Sequence, residues 1–156
     1  MAPFVIAVDD PRRPDIIALL ERHLAFAHEH TPPEDVHALD LDGLLEPAVT
    51  FFSARHDGTL LAIGALKELD AGHGELKSMH TAAGARRHGL GRAMVGHLLA
   101  VAGERGYRRV SLETGTMDAF GPARSLYAAC GFQPCGPFAA YTTSPSSAFM
   151  TFMLGE

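Results

Sequence analysis

The sequence predicts an α/β fold in which helices flank a mixed, mostly antiparallel central sheet. Three observations lead there. Apolar runs at 49–55 and 59–68 are joined by Asp57-Gly58, a dipeptide that favours a tight hairpin. Ala71-Gly72-His73-Gly74 then turns into a further strand at 75–81, giving three consecutive antiparallel strands. Beyond it, Leu90, Met94, Leu98, Val101 and Ala102 recur at helical spacing. A glycine-rich basic loop, Arg86-Arg87-His88-Gly89-Leu90-Gly91, joins that third strand to the helix.

The remaining elements fit the same plan. Residues 4–8 form a short apolar first strand, and Asp9-Asp10-Pro11 ends it and is placed to cap a helix. From Asp15, the residues Ile16, Ile17, Leu20, Leu24 and Ala27 share a helical face. Thr31-Pro32-Pro33 breaks that helix, and a polar–apolar mixture runs on to Gly43. After the long helix, Gly103 and Gly106 mark its end, and 107–114 is a strand with Val110 and Leu112 on one face. Residues 119–130 read as a helix with Phe120, Ala123, Tyr127 and Cys130 on one side. Two last strands are expected near 133–140 and 148–154.

Bulk properties exclude several classes. At 156 residues the chain reads as one domain, 1–156, able to bury a core without disulfides or metal. A net charge of -5 argues against nucleic acid or an anionic membrane as the main partner. No apolar run reaches membrane-spanning length, and no basic segment precedes the short apolar N-terminus, so a cytoplasmic location is expected. Cys130 and Cys135 form neither a C-x-x-C pair nor a zinc quartet. His23, His28 and His30, at i, i+5 and i+7, do not share a helix face, so no metal site is expected.

The basic loop carries the functional reading. A helix N-terminus exposes unpaired N–H groups at the positive end of the dipole and so holds anions, phosphates above all. Gly89 and Gly91 lack a Cβ, which would let a ligand approach the backbone. Neither a P-loop nor a dinucleotide fingerprint is present. The pattern Arg86-x-x-Gly89-x-Gly91, followed after a helix and a strand by Leu126-Tyr127-Ala128-Ala129-Cys130-Gly131-Phe132, resembles the GCN5-related N-acetyltransferase (GNAT) superfamily. The runs at 64–69, 75–81 and 111–115 are similar to its YsnE-like bacterial group.

The resemblance implies acetyl-CoA as cofactor and a small-molecule amine as acceptor, attacked directly in a ternary complex. It implies a strand pair splayed at the cofactor cleft. The segment from Arg86 through Arg87, His88, Gly89, Leu90 and Gly91 to Arg92 would grip the pyrophosphate. Met79 and Thr81 would pair with the pantetheine arm, and an amide near Met79 or His80 would bond the thioester oxygen. Tyr127 stands at the family's general-acid position, and a phenol is protonated at neutral pH. Glu113 and His80 are the candidate bases, with Glu68 and Glu75 also on strands that could line the cleft. Strand alternation puts Glu75, Lys77, Met79 and Thr81 on one face and Leu76, Ser78 and His80 on the other. Phe120 replaces an asparagine that many members direct at the arm, and it could pack there instead. Glu34, His37 and Asp40 are candidates for acceptor contacts. Relatives often dimerise, which leaves a homodimer open. The alternatives are an acyl-CoA-binding module without transfer, a protein or peptide N-acetyltransferase, and covalent catalysis through a cysteine, which no neighbouring His–Asp pattern supports.

Overall fold

The computed structural model describes residues 3–86 and 89–155. Seven strands form one sheet: β1 (Val5–Val8), β2 (Val49–His56), β3 (Thr59–Asp70), β4 (His73–Thr81), β5 (Arg109–Gly115), β6 (Gln133–Cys135) and β7 (Ser147–Met153). Their order is β1-β2-β3-β4-β5-β7-β6, and every neighbouring pair is antiparallel except β4 with β5. The β2–β3 turn has Asp57 at φ 48 and Gly58 at φ 81, the doubly left-handed backbone that matches strand twist.

Helices cover both faces. α1 (Pro14–His30) and α2 (Leu41–Leu44) bury Ile16, Leu19, Leu20 and Leu44 against Phe51, Ile63 and Ala65. α3 (Leu90–Glu104) and α4 (Gly121–Ala129) lie on the other face. There Leu90, Met94, Leu98 and Tyr127 pack with Phe52, Leu66, Leu76, Val110 and Leu112.

Four local expectations are corrected. Asp9 and Asp10 do not cap α1, whose N-cap is Arg13 with Pro14 following. Asp9 instead accepts from Ser53 Oγ at 2.6 Å and Arg55 Nε at 3.0 Å, tying the end of β1 to β2. The deeply buried face of α1 includes Leu19, while Ile17, Leu24 and Ala27 are only half-buried. The segment before α4 is a separate 3₁₀ turn, Asp118–Phe120. Finally, β6 is three residues long: it contains Pro134, and Gly136-Pro137 follows it, with no N–H at Pro137 to extend the ladder.

The face assignment of β4 is also overturned, with consequences for the site. Ile63 pairs with His80 but Ala65 pairs with Lys77, so β4 carries one extra residue opposite Gly64. Ser78 takes φ 55 there, the left-handed backbone of a bulge. Alternation resets across it. His80 joins Lys77 and Glu75 on the α1 side, while Met79 packs with the α3-side core and Thr81 pairs with Ala62 of that core.

Candidate active site

The parallel pairing of β4 with β5 stops after Glu75–Ser111, although β4 runs on to Thr81 and β5 to Gly115. Beyond that point the two strands part, and a cleft of about 740 Å³ opens between them. α1 and its following connector form one wall, and the starts of α3 and α4 form the other.

One end of the cleft is basic. Gly89 is the N-cap of α3 at φ 76, and among the described residues no side chain caps the helix. A Cβ built at Gly89 would meet no heavy atom of the other described residues within 4 Å, which leaves room for a ligand to approach the backbone. Arg86 and Arg92 are exposed along the same stretch. Leu90 is buried and offers only its main chain. Gly91 has a different purpose from the one its motif suggests. A Cβ on it would lie 2.8 Å from Leu126 Cδ2, so its smallness lets α4 approach α3. Arg87 and His88 lie outside the described residues. An uncapped helix end, an open glycine and two arginines fit a pyrophosphate, and the parted strands fit a narrow acyl-carrying arm.

Met79, Thr81, Phe120 and Tyr127 line the middle of the cleft. Tyr127 is 7% exposed, and burial first, then the Cys130 thiol, pushes its phenol well above the ordinary range. It therefore holds its proton throughout the physiological range. Phe120 stacks edge-on against Phe26 of α1 with centroids 5.2 Å apart. Gly115 makes room for that ring, because a Cβ there would sit 2.2 Å from it.

The other end is acidic. Glu75 is 3% exposed and pairs with Lys77 Nζ at 3.2 Å, while Tyr141 of the β6–β7 loop donates to the same Glu75 oxygen. Lys77 also donates to Tyr141 Oη at 2.8 Å. Among the described residues, no cation lies in salt-bridge range of the Glu113 carboxylate. Burial raises the Glu113 pKa, against smaller downward pulls from Ser147, His37 and Lys77. His37 lines this end and stacks on Tyr141. Asp35 lines it too and accepts from Ser146 Oγ at 2.7 Å.

Several sequence candidates fall elsewhere. Asp40 caps α2 by accepting from the Gly43 amide at 2.9 Å, and Glu34 is exposed away from the cleft. Glu68 accepts from Tyr107 Oη at 2.7 Å and does not line the cleft. His80 does line it, but its Nδ1 lies 3.2 Å from Nδ1 of His23. Burial lowers the pKa of both, His23 to about 4, so at neutral pH both rings are neutral and the Nδ1–H of one tautomer can donate to the Nδ1 of the other ring. Cys130 and Cys135 are free, and burial raises both thiols. Lys77, Tyr141 and the His23 partner escaped sequence reasoning. Lys77 had only its strand phase to mark it, and the other two come from remote segments.

A sheet splayed beside an uncapped, glycine-fronted helix, with a buried tyrosine facing the gap, defines a class of acyl-CoA-dependent transferase. The acetyltransferase (GNAT) family profile matches residues 14–132, and the chain belongs to that family. It is similar to the N-acetyltransferase YsnE of Bacillus subtilis (strain 168), at 47% identity over 94% of this chain and 97% of that one. An acyl-CoA N-acyltransferase described from Klebsiella pneumoniae superposes with a TM-score of 0.79 at 27% identity, covering 97% of each chain. A GNAT acetyltransferase of Elizabethkingia anophelis, solved with acetyl-CoA, shares the fold with a TM-score of 0.72 at 15% identity, covering 97% of this chain and 98% of that one. The chain is thus an N-acetyltransferase of the GNAT family, whose acetyl donor is acetyl-CoA. Among the described residues no helix is long and apolar enough to cross a membrane.

Proposed function

We propose that the protein acetylates the amine of a small molecule by direct attack within a ternary complex. The observation that carries this reading is the cleft at the β4–β5 splay, basic at the α3 end and acidic at the other. When bound, acetyl-CoA supplies an acetyl group activated as a thioester. Arg86, Arg92 and the Gly89–Leu90–Gly91 backbone hold the phosphates, with Arg87 and His88 completing the loop in sequence. Main-chain groups of Met79, His80 and Thr81 align the arm, and Phe120 packs beside it.

Glu113 takes the proton that the amine must shed, since burial makes its carboxylate more basic than a free glutamate. His80 is the second-ranked base, because burial and the arginines nearby work against its charged form. Tyr127 stays protonated at neutral pH, so its Oη–H can donate a hydrogen bond to the sulfur as the thiolate leaves. The cleft is walled by α1 and its connector, which suits a small acceptor better than a protein chain. The phenol's retention at the cleft argues for transfer over a module that only binds acyl-CoA.

The test is thiol release from acetyl-CoA across an amine panel, with Tyr127→Phe alongside. The parent should turn over at least one amine. The variant should lose about 10²-fold or more in kcat at unchanged acetyl-CoA affinity. Acetyl-CoA binding with no amine-dependent release in the parent would establish the binding module instead.

A further inference from the structure

The acceptor half of the cleft defines the chemistry of the molecule that enters it. This argument rests on the transfer reading above. Its walls are largely apolar: Phe26, Ala27, Val36, Ala38 and Ile63 line it, with Phe120 opposite. Phe26 packs against His30 with centroids 4.6 Å apart and edge-on to Phe120 at 5.2 Å, an aromatic corner that joins α1 to the start of α4. Phe26 and Phe120 are both only partly buried and line the cleft, so part of each ring is left for a ligand.

Charge restricts the ligand further. The Lys77 ammonium, the one lysine on the wall, is taken up by Glu75 and Tyr141 and is 9% exposed. It is a poor partner for an incoming carboxylate. Glu113 and Asp35 have no cation in salt-bridge range among the described residues, so this end repels anions and attracts an ammonium. A carboxylate with no ion-pair partner among the described residues, in the same cleft as an aromatic corner, fits a cation borne on an uncharged ring-containing body.

We infer that the acceptor is an arylalkylamine-type molecule: a primary amine on an uncharged aromatic body, rather than an amino acid or a diamine. The ring lies against Phe26, with Phe120 between it and the acetyl-CoA arm, and the nitrogen is directed at Glu113.

Calorimetric titration of the CoA-loaded protein tests this without requiring turnover. 2-Phenylethylamine should bind at least tenfold more tightly than n-butylamine, 1,4-diaminobutane or phenylalanine. Phe26→Leu keeps apolar volume and removes the ring. It should erase the preference over n-butylamine while leaving CoA affinity within twofold. Glu113→Gln should weaken all the amines alike. Equal or tighter binding of phenylalanine, the diamine or n-butylamine overturns the inference, and so does the absence of amine binding. A Phe26→Leu protein that loses CoA affinity but keeps the amine preference also overturns it, since the ring would then line the cofactor. Transfer failing despite selective binding would contradict the proposed reaction and leave this inference standing.

Discussion

Burial sets the protonation of Tyr127, Glu113 and the His23–His80 pair. Glu113 is a half-buried carboxylate with a raised pKa, so the folded state binds its proton more tightly than the unfolded chain does. Its contribution to stability is greatest below the ordinary glutamate range and is lost as pH rises through the raised value. Glu113→Gln should therefore melt higher than the parent at pH 7.5 while turning over at least tenfold more slowly. A melting temperature that falls with the substitution would show that the carboxylate is structural. The histidine pair has the opposite sign. His23 is depressed from 6.5 to about 4, so its neutral form stabilises the fold above 6.5, and that stabilisation drains away as pH falls toward 4. A His23→Phe protein should lose less melting temperature than the parent between pH 7 and pH 4.5. Equal losses would mean that other groups dominate the acid response.

At the scale of elements, the bulge in β4 decides which side chains reach the cleft together. Without the extra residue, His80 would face α3 and Met79 would face α1. Ser78 holds a left-handed backbone at φ 55, a conformation that costs an L-residue about 1 kcal/mol. Ser78→Gly should thus raise the melting temperature by a few degrees and leave acetyl-CoA affinity unchanged. A drop would mean that the serine side chain holds the bulge. This feature explains what sequence could and could not convey. The hairpin at Asp57-Gly58, the long periodic α3 and its basic loop were all legible, because turn chemistry and apolar spacing are local. The bulge was not, because serine gives no signal where glycine would have. Gly91 showed the converse problem: its motif position suggests ligand access, and only the packed Leu126 reveals a helix contact. Tyr141 and Asp35 were equally hidden. Their places beside Glu75 and Ser146 depend on two loops meeting across the sheet, a relation that no spacing along the chain encodes.

For the whole molecule, the two helical layers close separate cores on opposite faces of one sheet, and the cleft lies where that sheet parts. Basic groups gather at the α3 end and carboxylates at the other, and on the proposed reading donor and acceptor enter from ends of opposite charge. Acetyl-CoA affinity should accordingly weaken as salt rises from 50 to 500 mM, which titration at the two concentrations would show. The most direct test of the account is a thermal-unfolding scan with and without acetyl-CoA, on the parent and on Arg92→Glu, whose side chain is exposed and outside the core. At about 100 times its Kd the cofactor should add roughly 2.7 kcal/mol, a rise of several degrees for a chain of this size. That rise should shrink or vanish at the same concentration in the variant, whose unliganded melting point should stay close to the parent's. No rise in the parent at millimolar acetyl-CoA, or an equal rise in both proteins, would contradict the placement of the cofactor at the α3 end of the cleft.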